Sequence, residues 1–253
     1  MAEIEELSTD EQNHLAPYLP PTDFGKASLP FVTLTYAQSM DGMISRAPGV
    51  RTQLSGLESK NMTHYLRSKY DAILVGVGTA VADQPSLTCR YPTSKWTPVP
   101  VIVDPNGRYN LTSSSKIVKL AQSGQGKVPL IIVNEQLASA DDKEGPFDYK
   151  KILIKPEDPS TSTLSWAAIF QALKKEGLNS VMVEGGARVI SQLLGQPDLV
   201  HSVIVTTAPK WLGRGGLAPT IEPRAAGLDA ASLRDVSSRA YGNDVVLCGR
   251  LQV

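Results

Sequence analysis

Gly76-Val77-Gly78-Thr79 closes an apolar run that begins at Ala72, and Glu184-Gly185-Gly186-Ala187 closes another that begins at Ser180. Glycine at a strand end lets backbone N–H groups approach a ligand closely, and a helix start just beyond adds positive partial charge. One such turn is as easily a tight connection. Two in one chain point to a shared, phosphate-bearing cofactor. The common phosphate loops are missing: Gly-x-Gly-x-x-Gly fails at Val81, and Gly-Lys-Ser/Thr does not occur. Glu184 stands at the C-terminal end of its run, where open α/β sheets hold ligands, and reads either as a ligand contact or as a structural hydrogen bond. Arg67 and Arg90 offer planar forks of donors suited to phosphate, or else ordinary surface charge.

These residues need a scaffold, and the apolar pattern outlines one. Strand-like runs fall at Phe31–Ala37, Ala72–Val77, Val99–Val103, Val128–Val133, Lys151–Ile154, Ser180–Val183, Ser202–Thr206 and Asp244–Leu247. Several are continuously apolar, as in strands covered on both faces. Helical patterns lie between some of them. Ser55 followed by Glu58 fits a capping box. Trp166, Ile169, Phe170 and Leu173 recur at helical spacing before Gly177, and Val189, Ile190, Leu193 and Leu194 follow the second glycine turn. The alternation predicts an α/β fold with a mainly parallel central sheet and flanking helices. The last runs lack an intervening helix, so an antiparallel C-terminal part is expected. Residues 112–127 and 138–148 read as connectors. Residues 1–30, acidic and then proline-rich, read as an N-terminal arm with a short helix and an extended part. Residues 31–253 read as one domain.

Bulk composition narrows the function. Twenty-five basic residues balance 25 acidic ones, which argues against nucleic acid or a membrane surface as partner. Two distant cysteines and three scattered histidines show no metal-ligand spacing, so no metal is expected. No apolar run approaches the ~20 residues of a membrane span, and the N-terminus has no apolar signal core. A soluble cytoplasmic protein is expected.

Four stretches together resemble the riboflavin-pathway reductases. "YAQSMDGMIS" is similar to their opening strand-turn. "DAILVGVGTAVADQPSLTCR" is similar to their central Gly-x-x-Thr-x-x-x-Asp-x-Pro-x-Leu-x-x-Arg signature. "VMVEGGARVISQLL" resembles their Val-Glu-Gly-Gly turn, and "TAPKWLGRGG" their Ala-Pro-x-x-Leu-Gly element. The motifs occur in the family's order, and no zinc-deaminase signature accompanies them, as in the stand-alone fungal type.

The resemblance implies a dihydrofolate-reductase-like fold and hydride delivery from NADPH to C1′ of a phosphorylated ribosylaminopyrimidine. It assigns Thr79, Asp83 and the turn Gly185, Gly186, Ala187, Arg188, Val189 and Ile190 to the cofactor. It assigns Arg67, Leu87, Arg90 and Glu184 to the substrate, with Arg67 and Arg90 on its 5′-phosphate. Asp83 and Glu184 are the candidate proton-handling groups. Arg108 is a candidate for the cofactor 2′-phosphate. Fused members carry a Ser-x-Trp element where this chain has "GVRTQLSG", so the role of Arg51 is open and Gln53 is a candidate for the cofactor pocket. Members are commonly dimers, which implies a homodimer, with Val203–Thr206 and Val245–Leu247 available to pair or pack between subunits. A dihydrofolate or pterin reductase is the competing enzyme, although its substrate has no phosphate for Arg67 and Arg90. A non-catalytic NADPH-binding protein is the competing class, although Asp83, Arg90 and Glu184 are all present.

Overall fold

The structure, a computed structural model, describes residues 3–137, 149–221 and 231–252. Nine strands form one sheet: β1 (Phe31–Ser39), β2 (Ala72–Gly76), β3 (Val99–Val103), β4 (Leu130–Asn134), β5 (Lys150–Ile154), β6 (Ser180–Gly185), β7 (Ser202–Ala208), β8 (Ser232–Tyr241) and β9 (Asp244–Gln252). Their spatial order is β5-β4-β3-β2-β6-β1-β7-β9-β8. The first seven are parallel, while β9 is antiparallel to β7 and to β8. This is the α/β class expected, with its antiparallel C-terminal part. The chain moves outward from β2 to β5, returns to insert β6 between β2 and β1, and then continues past β1. That reversal is a topological switch point, where the carboxyl ends of strands open a crevice.

Helices cover both faces. On one face lie α5 (Trp166–Lys175) and α6 (Ala187–Leu194), packed on Val32, Leu74, Val101, Val181 and Val183. Helix α5 buries Trp166, Ile169, Phe170 and Leu173, each contributing roughly 1.5–3 kcal/mol by burial. Gly177 ends it as the pattern predicts, with a positive φ and an N–H donated to the Lys174 carbonyl. The other face carries α2 (Leu57–Arg67), which buries Met62, Tyr65 and Leu66 against Phe31, Met182 and Ile204. Beside it, α3 (Val77–Asp83) and α4 (Lys116–Gln122) cover Ile73, Val75 and Ile102.

Several local expectations change. The arm contains α1 (Thr9–Leu15), whose Ser8 and Glu11 form the reciprocal capping box. Its prolines do not produce a simply extended arm, because Pro17 lies within a 3-10 turn over Ala16–Tyr18. Ile4, Leu7, Leu15 and Tyr18 are buried in the same cluster as α2. The expected capping box at Ser55 is not used. Helix α2 starts at Leu57, and its acceptor comes from Asp244 of β9, which takes N–H of Gly56 and Oγ–H of Ser59, each at 2.7 Å. A tertiary contact replaces the local one. Residues 112–127, read as a connector, contain α4, whose Ile117 and Val118 are buried. The connector reading of 138–148 lies outside the described residues. Strand β8 was unanticipated, since an edge strand bearing Arg234, Asp235 and Arg239 lacks an apolar alternation. Among the described residues, no helix is long and apolar enough to cross a membrane.

Candidate active site

Strand β2 ends at Gly76 and β6 ends at Gly185, so both glycine turns open at the carboxyl edge of the sheet, beside each other. Val77, expected as strand, is the first residue of α3. The turns press together closely. A Cβ on Gly76 would lie 2.8 Å from Val189 Cγ2. Gly186 has φ +97°, and a Cβ there would meet Thr79 Oγ1 at 3.3 Å. Only glycine accommodates both demands at Gly186.

A cavity of about 520 Å³ opens over these turns. Thr79, Asp83, Gly186, Ala187, Arg188 and Val189 line it, as do Gly76 and Gly78. Gly185 is buried behind it, and Ile190 faces the core. Arg108 also lines it. Gln53 does not, and its carbonyl instead accepts a bond from Lys210 Nζ. The remaining wall was not anticipated from sequence. It comes from Ile44, Val50 and Thr52 after β1, Pro105 and Asn106 after β3, and Ser162 and Thr163 before α5. Their residue types carry no chemical signal, and only their place in the loops that follow β1, β3 and β5 could have suggested them.

The polar groups of this cavity fit a nicotinamide dinucleotide. Helix α6 has no side-chain cap, so its first amides face the cavity edge without intrahelical partners. Asp83 Oδ1 is buried without a hydrogen-bond partner among the described residues, which suits a ribose or amide donor. Burial raises the Asp83 pKa, with Arg51 partly opposing it, so this carboxyl holds a proton more readily than an ordinary aspartate. Arg108 and Arg188 place guanidinium cations on the cavity wall.

The second cluster lies on the α2 side of the same edge. A bulge in the β2–β6 pairing, between Leu74↔Val183 and Val75↔Gly185, leaves Glu184 as the extra residue. Bulges of this kind re-aim a side chain. Glu184 meets Arg67, the last residue of α2, in a fork of two bonds: Nε to Oε1 and Nη2 to Oε2, both 2.6 Å. Each side chain is 14% exposed. Arg67 Nη1 also donates to the Thr88 carbonyl at 2.9 Å. Arg90 is exposed and touches His64, one turn before Arg67 on α2. Leu87 has a positive φ and is buried under α3 and α4, so it can offer a ligand backbone rather than side chain. The structure therefore brings Arg67, Glu184 and Arg90 to one corner, but with Arg67 bound to Glu184.

Residues 30–247 match the family described as the RibD C-terminal domain. The 2,5-diamino-6-ribosylamino-4(3H)-pyrimidinone 5′-phosphate reductase of Eremothecium gossypii is 40% identical, over 97% of this chain and 98% of its own length. The enzyme of that name from Saccharomyces cerevisiae is 41% identical, over 97% of both. Among solved structures, the Saccharomyces riboflavin biosynthesis reductase Rib7 has a TM-score of 0.79 at 36% identity, covering 96% of this chain and 100% of that one.

Proposed function

The chain belongs to the RibD C-terminal domain family, and we propose that it is the riboflavin-pathway reductase that takes 2,5-diamino-6-ribosylamino-4(3H)-pyrimidinone 5′-phosphate to the ribitylamino product. The observation that carries this reading is near-full-length identity of about 40% to relatives of that name, in a chain whose nucleotide-sized cavity adjoins a corner of two arginines and a glutamate. NADPH, when bound, supplies a hydride for C1′.

The protein's part is to bind and orient. The first amides of α6 receive the cofactor pyrophosphate, Thr79 and Asp83 contact its polar groups, and Arg108 or Arg188 meets the 2′-phosphate that distinguishes NADPH. Arg90 meets the substrate phosphate. Arg67 holds Glu184 in one orientation, so that Glu184 presents a fixed carboxylate edge to the sugar or pyrimidine. Arg67 thus acts mainly on Glu184, with its remaining N–H groups available to phosphate. A cytoplasmic homodimer completes the proposal. It is supported by exposed Val245 and Val236 on β9 and β8, and light scattering tests it.

The deciding measurement is NADPH oxidation by the purified protein with the diaminopyrimidine and, separately, with its deaminated counterpart. Oxidation that depends on the diamino compound is expected. No oxidation with substrate of confirmed quality overturns the reading.

A further inference from the structure

Strand β3 runs out at Val103 into Asp104-Pro105-Asn106-Gly107, the sequence pattern of a type I turn: aspartate first, proline second, glycine fourth. Gly107 N–H closes it on the Asp104 carbonyl at 3.2 Å, and Gly107 leaves the turn at φ +63°. Asp104 holds the segment at two further points. Its own N–H donates to Ile132 O of β4 at 2.8 Å, and its Oδ2 accepts from Tyr109 N–H at 2.6 Å. Tyr109 in turn packs on the core that α3 and α4 cover. Arg108 therefore stands between two fixed points, a strand end and an anchored tyrosine. Asp104 is only 1% exposed, so it supports the turn from behind, while Arg108 is exposed and lines the cavity with Pro105 and Asn106. Asp104 Oδ1 is buried without a partner among the described residues.

The place of this turn along the cavity decides what it can meet. The cavity crosses four strand ends in the order β3-β2-β6-β1: Arg108 follows β3, Gly76 and Gly186 form the two glycine turns, and Thr52 follows β1. A dinucleotide whose pyrophosphate lies on the glycine turns puts one nucleoside on each side of them. The nicotinamide must reach the pyrimidine, and Glu184 belongs to β6, which β2 separates from β3. The adenosine half then lies toward β3 and Arg108. Arg188 is the second residue of α6, beside the amides that take the pyrophosphate, so it meets charge that NADPH and NADH have in common. Arg108 is the cation at the end where they differ. A guanidinium binds phosphate best with its planar fork held in place, and one residue, Asp104, ties both ends of the turn that carries it. A charge-assisted bond to Tyr109 N–H is stiffer than a neutral amide would give. The stranded Oδ1 is its cost.

We propose that Asp104 is the positioning residue of Arg108, and that the turn they share selects NADPH over NADH by fixing the guanidinium where the 2′-phosphate arrives. This rests on the reading of the cavity as the cofactor site.

Dissociation constants of NADPH and NADH, read by fluorescence titration of the full chain, separate this from a structural role, because NADH reports the cavity without the 2′-phosphate. Arg108→Met should raise the NADPH Kd about 30-fold and the NADH Kd by no more than about 2-fold. Asp104→Ala should raise the NADPH Kd about 10-fold with the same selectivity, and Asp104→Asn, which keeps an acceptor for Tyr109 N–H, should stay within about 3-fold of wild type. Gly107→Val disturbs the turn from an exposed position, at a φ that a branched residue resists, and leaves Asp104 in place. It should weaken NADPH selectively as well, which keeps the test open where Asp104→Ala folds poorly. Asp104→Ala added to Arg108→Met should cost no further NADPH affinity, since the positioned group is already gone. Arg188→Met should weaken both dinucleotides alike. Equal weakening of NADPH and NADH by Asp104→Ala or Gly107→Val overturns the proposal, as does an unchanged ratio of the two constants or full additivity with Arg108→Met. A wild-type protein that turns over no pyrimidine yet prefers NADPH through Arg108 and Asp104 overturns the proposed function and leaves this inference standing. One that reduces the pyrimidine equally well with either dinucleotide does the reverse.

Discussion

Around Gly76 and Gly186 the protein presents polar groups that the side chains of the described residues leave alone: the first amides of α6, and Asp83 Oδ1. Around Glu184 the polar groups are bonded to one another. Both Glu184 oxygens accept from Arg67, Arg67 reaches Thr88, and His64 holds Arg90. The two regions sit on neighbouring strand ends, and on the proposed reading they accept ligands by different means. The cavity takes a ligand by adding bonds to a frame of backbone and glycine. On the same reading the charged corner takes one on a frame of side-chain bonds already made, between Arg67 and Glu184 and between His64 and Arg90. The first plan makes affinity sensitive to shape. The second makes it sensitive to charge and to the partner left behind.

Gly186→Val should give the largest effect and tests the shape side. Its φ of +97° costs a branched residue about 1–3 kcal/mol, and the Cβ would crowd Thr79 Oγ1. NADPH Kd, read by fluorescence titration, should rise about 100-fold or more, while the pyrimidine KM moves far less. Equal losses in both would erase the distinction between the regions.

The charged corner should respond differently. Arg67→Met leaves the Glu184 carboxylate without its fork in a site only 14% exposed. Removing one partner of a buried pair costs about 3–5 kcal/mol, and partial exposure brings this to about 2–3. Adding Glu184→Leu should recover stability, because an apolar replacement of a whole pair is close to neutral. It should not recover turnover, expected to remain down about 100-fold in kcat/KM. Recovery of both would make the pair merely structural.

Which parts could be read in the sequence follows the same division. The glycine turns stand out because the requirement is local: an apolar run, two glycines and a helix start. The parallel strands stand out because burial on both faces makes them continuously apolar. The Arg67–Glu184 pairing does not, since 117 residues separate its members and nothing local announces that an arginine fork is already engaged. The carboxylate that caps α2 likewise belongs to Asp244, at the far end of the chain. Much of the cavity wall, from Val50 and Thr52 to Ser162 and Thr163, uses residue types with no chemical signature, and topology alone brings them together. Strand β8 hides because an edge strand is polar for reasons of solubility.

A milder probe of shape is Gly76→Ala. Its Cβ would sit 2.8 Å from Val189 Cγ2, in the first turn of α6. Overpacking should cost about 1–3 kcal/mol by thermal or urea unfolding, and NADPH should bind several-fold more weakly as the α6 amides are displaced. Because the clash is with one side-chain methyl, Val189→Ala in the same chain should relieve most of it. If the double variant stays as weak as the single, backbone approach rather than the Val189 contact dictates glycine at 76.

The smallest effect comes from the charged corner and is a slope. Burial and the neighbouring Arg67 and Arg90 disfavour the charged form of His64 and push its pKa down to about 3, against roughly 6.5 for an unperturbed imidazole. A histidine depressed in the folded state contributes stability that is complete above the unfolded pKa and declines as pH falls from there toward the folded one. Wild type should therefore lose stability relative to His64→Gln by about 0.7 kcal/mol between pH 7 and pH 6, steepening toward about 1.4 kcal/mol per unit below. Asp83, whose pKa burial raises, contributes with the opposite sign but is common to both proteins and subtracts out. Parallel stability curves for the two proteins across this range would mean that the imidazole titrates freely, and that the corner is open to solvent rather than closed on itself.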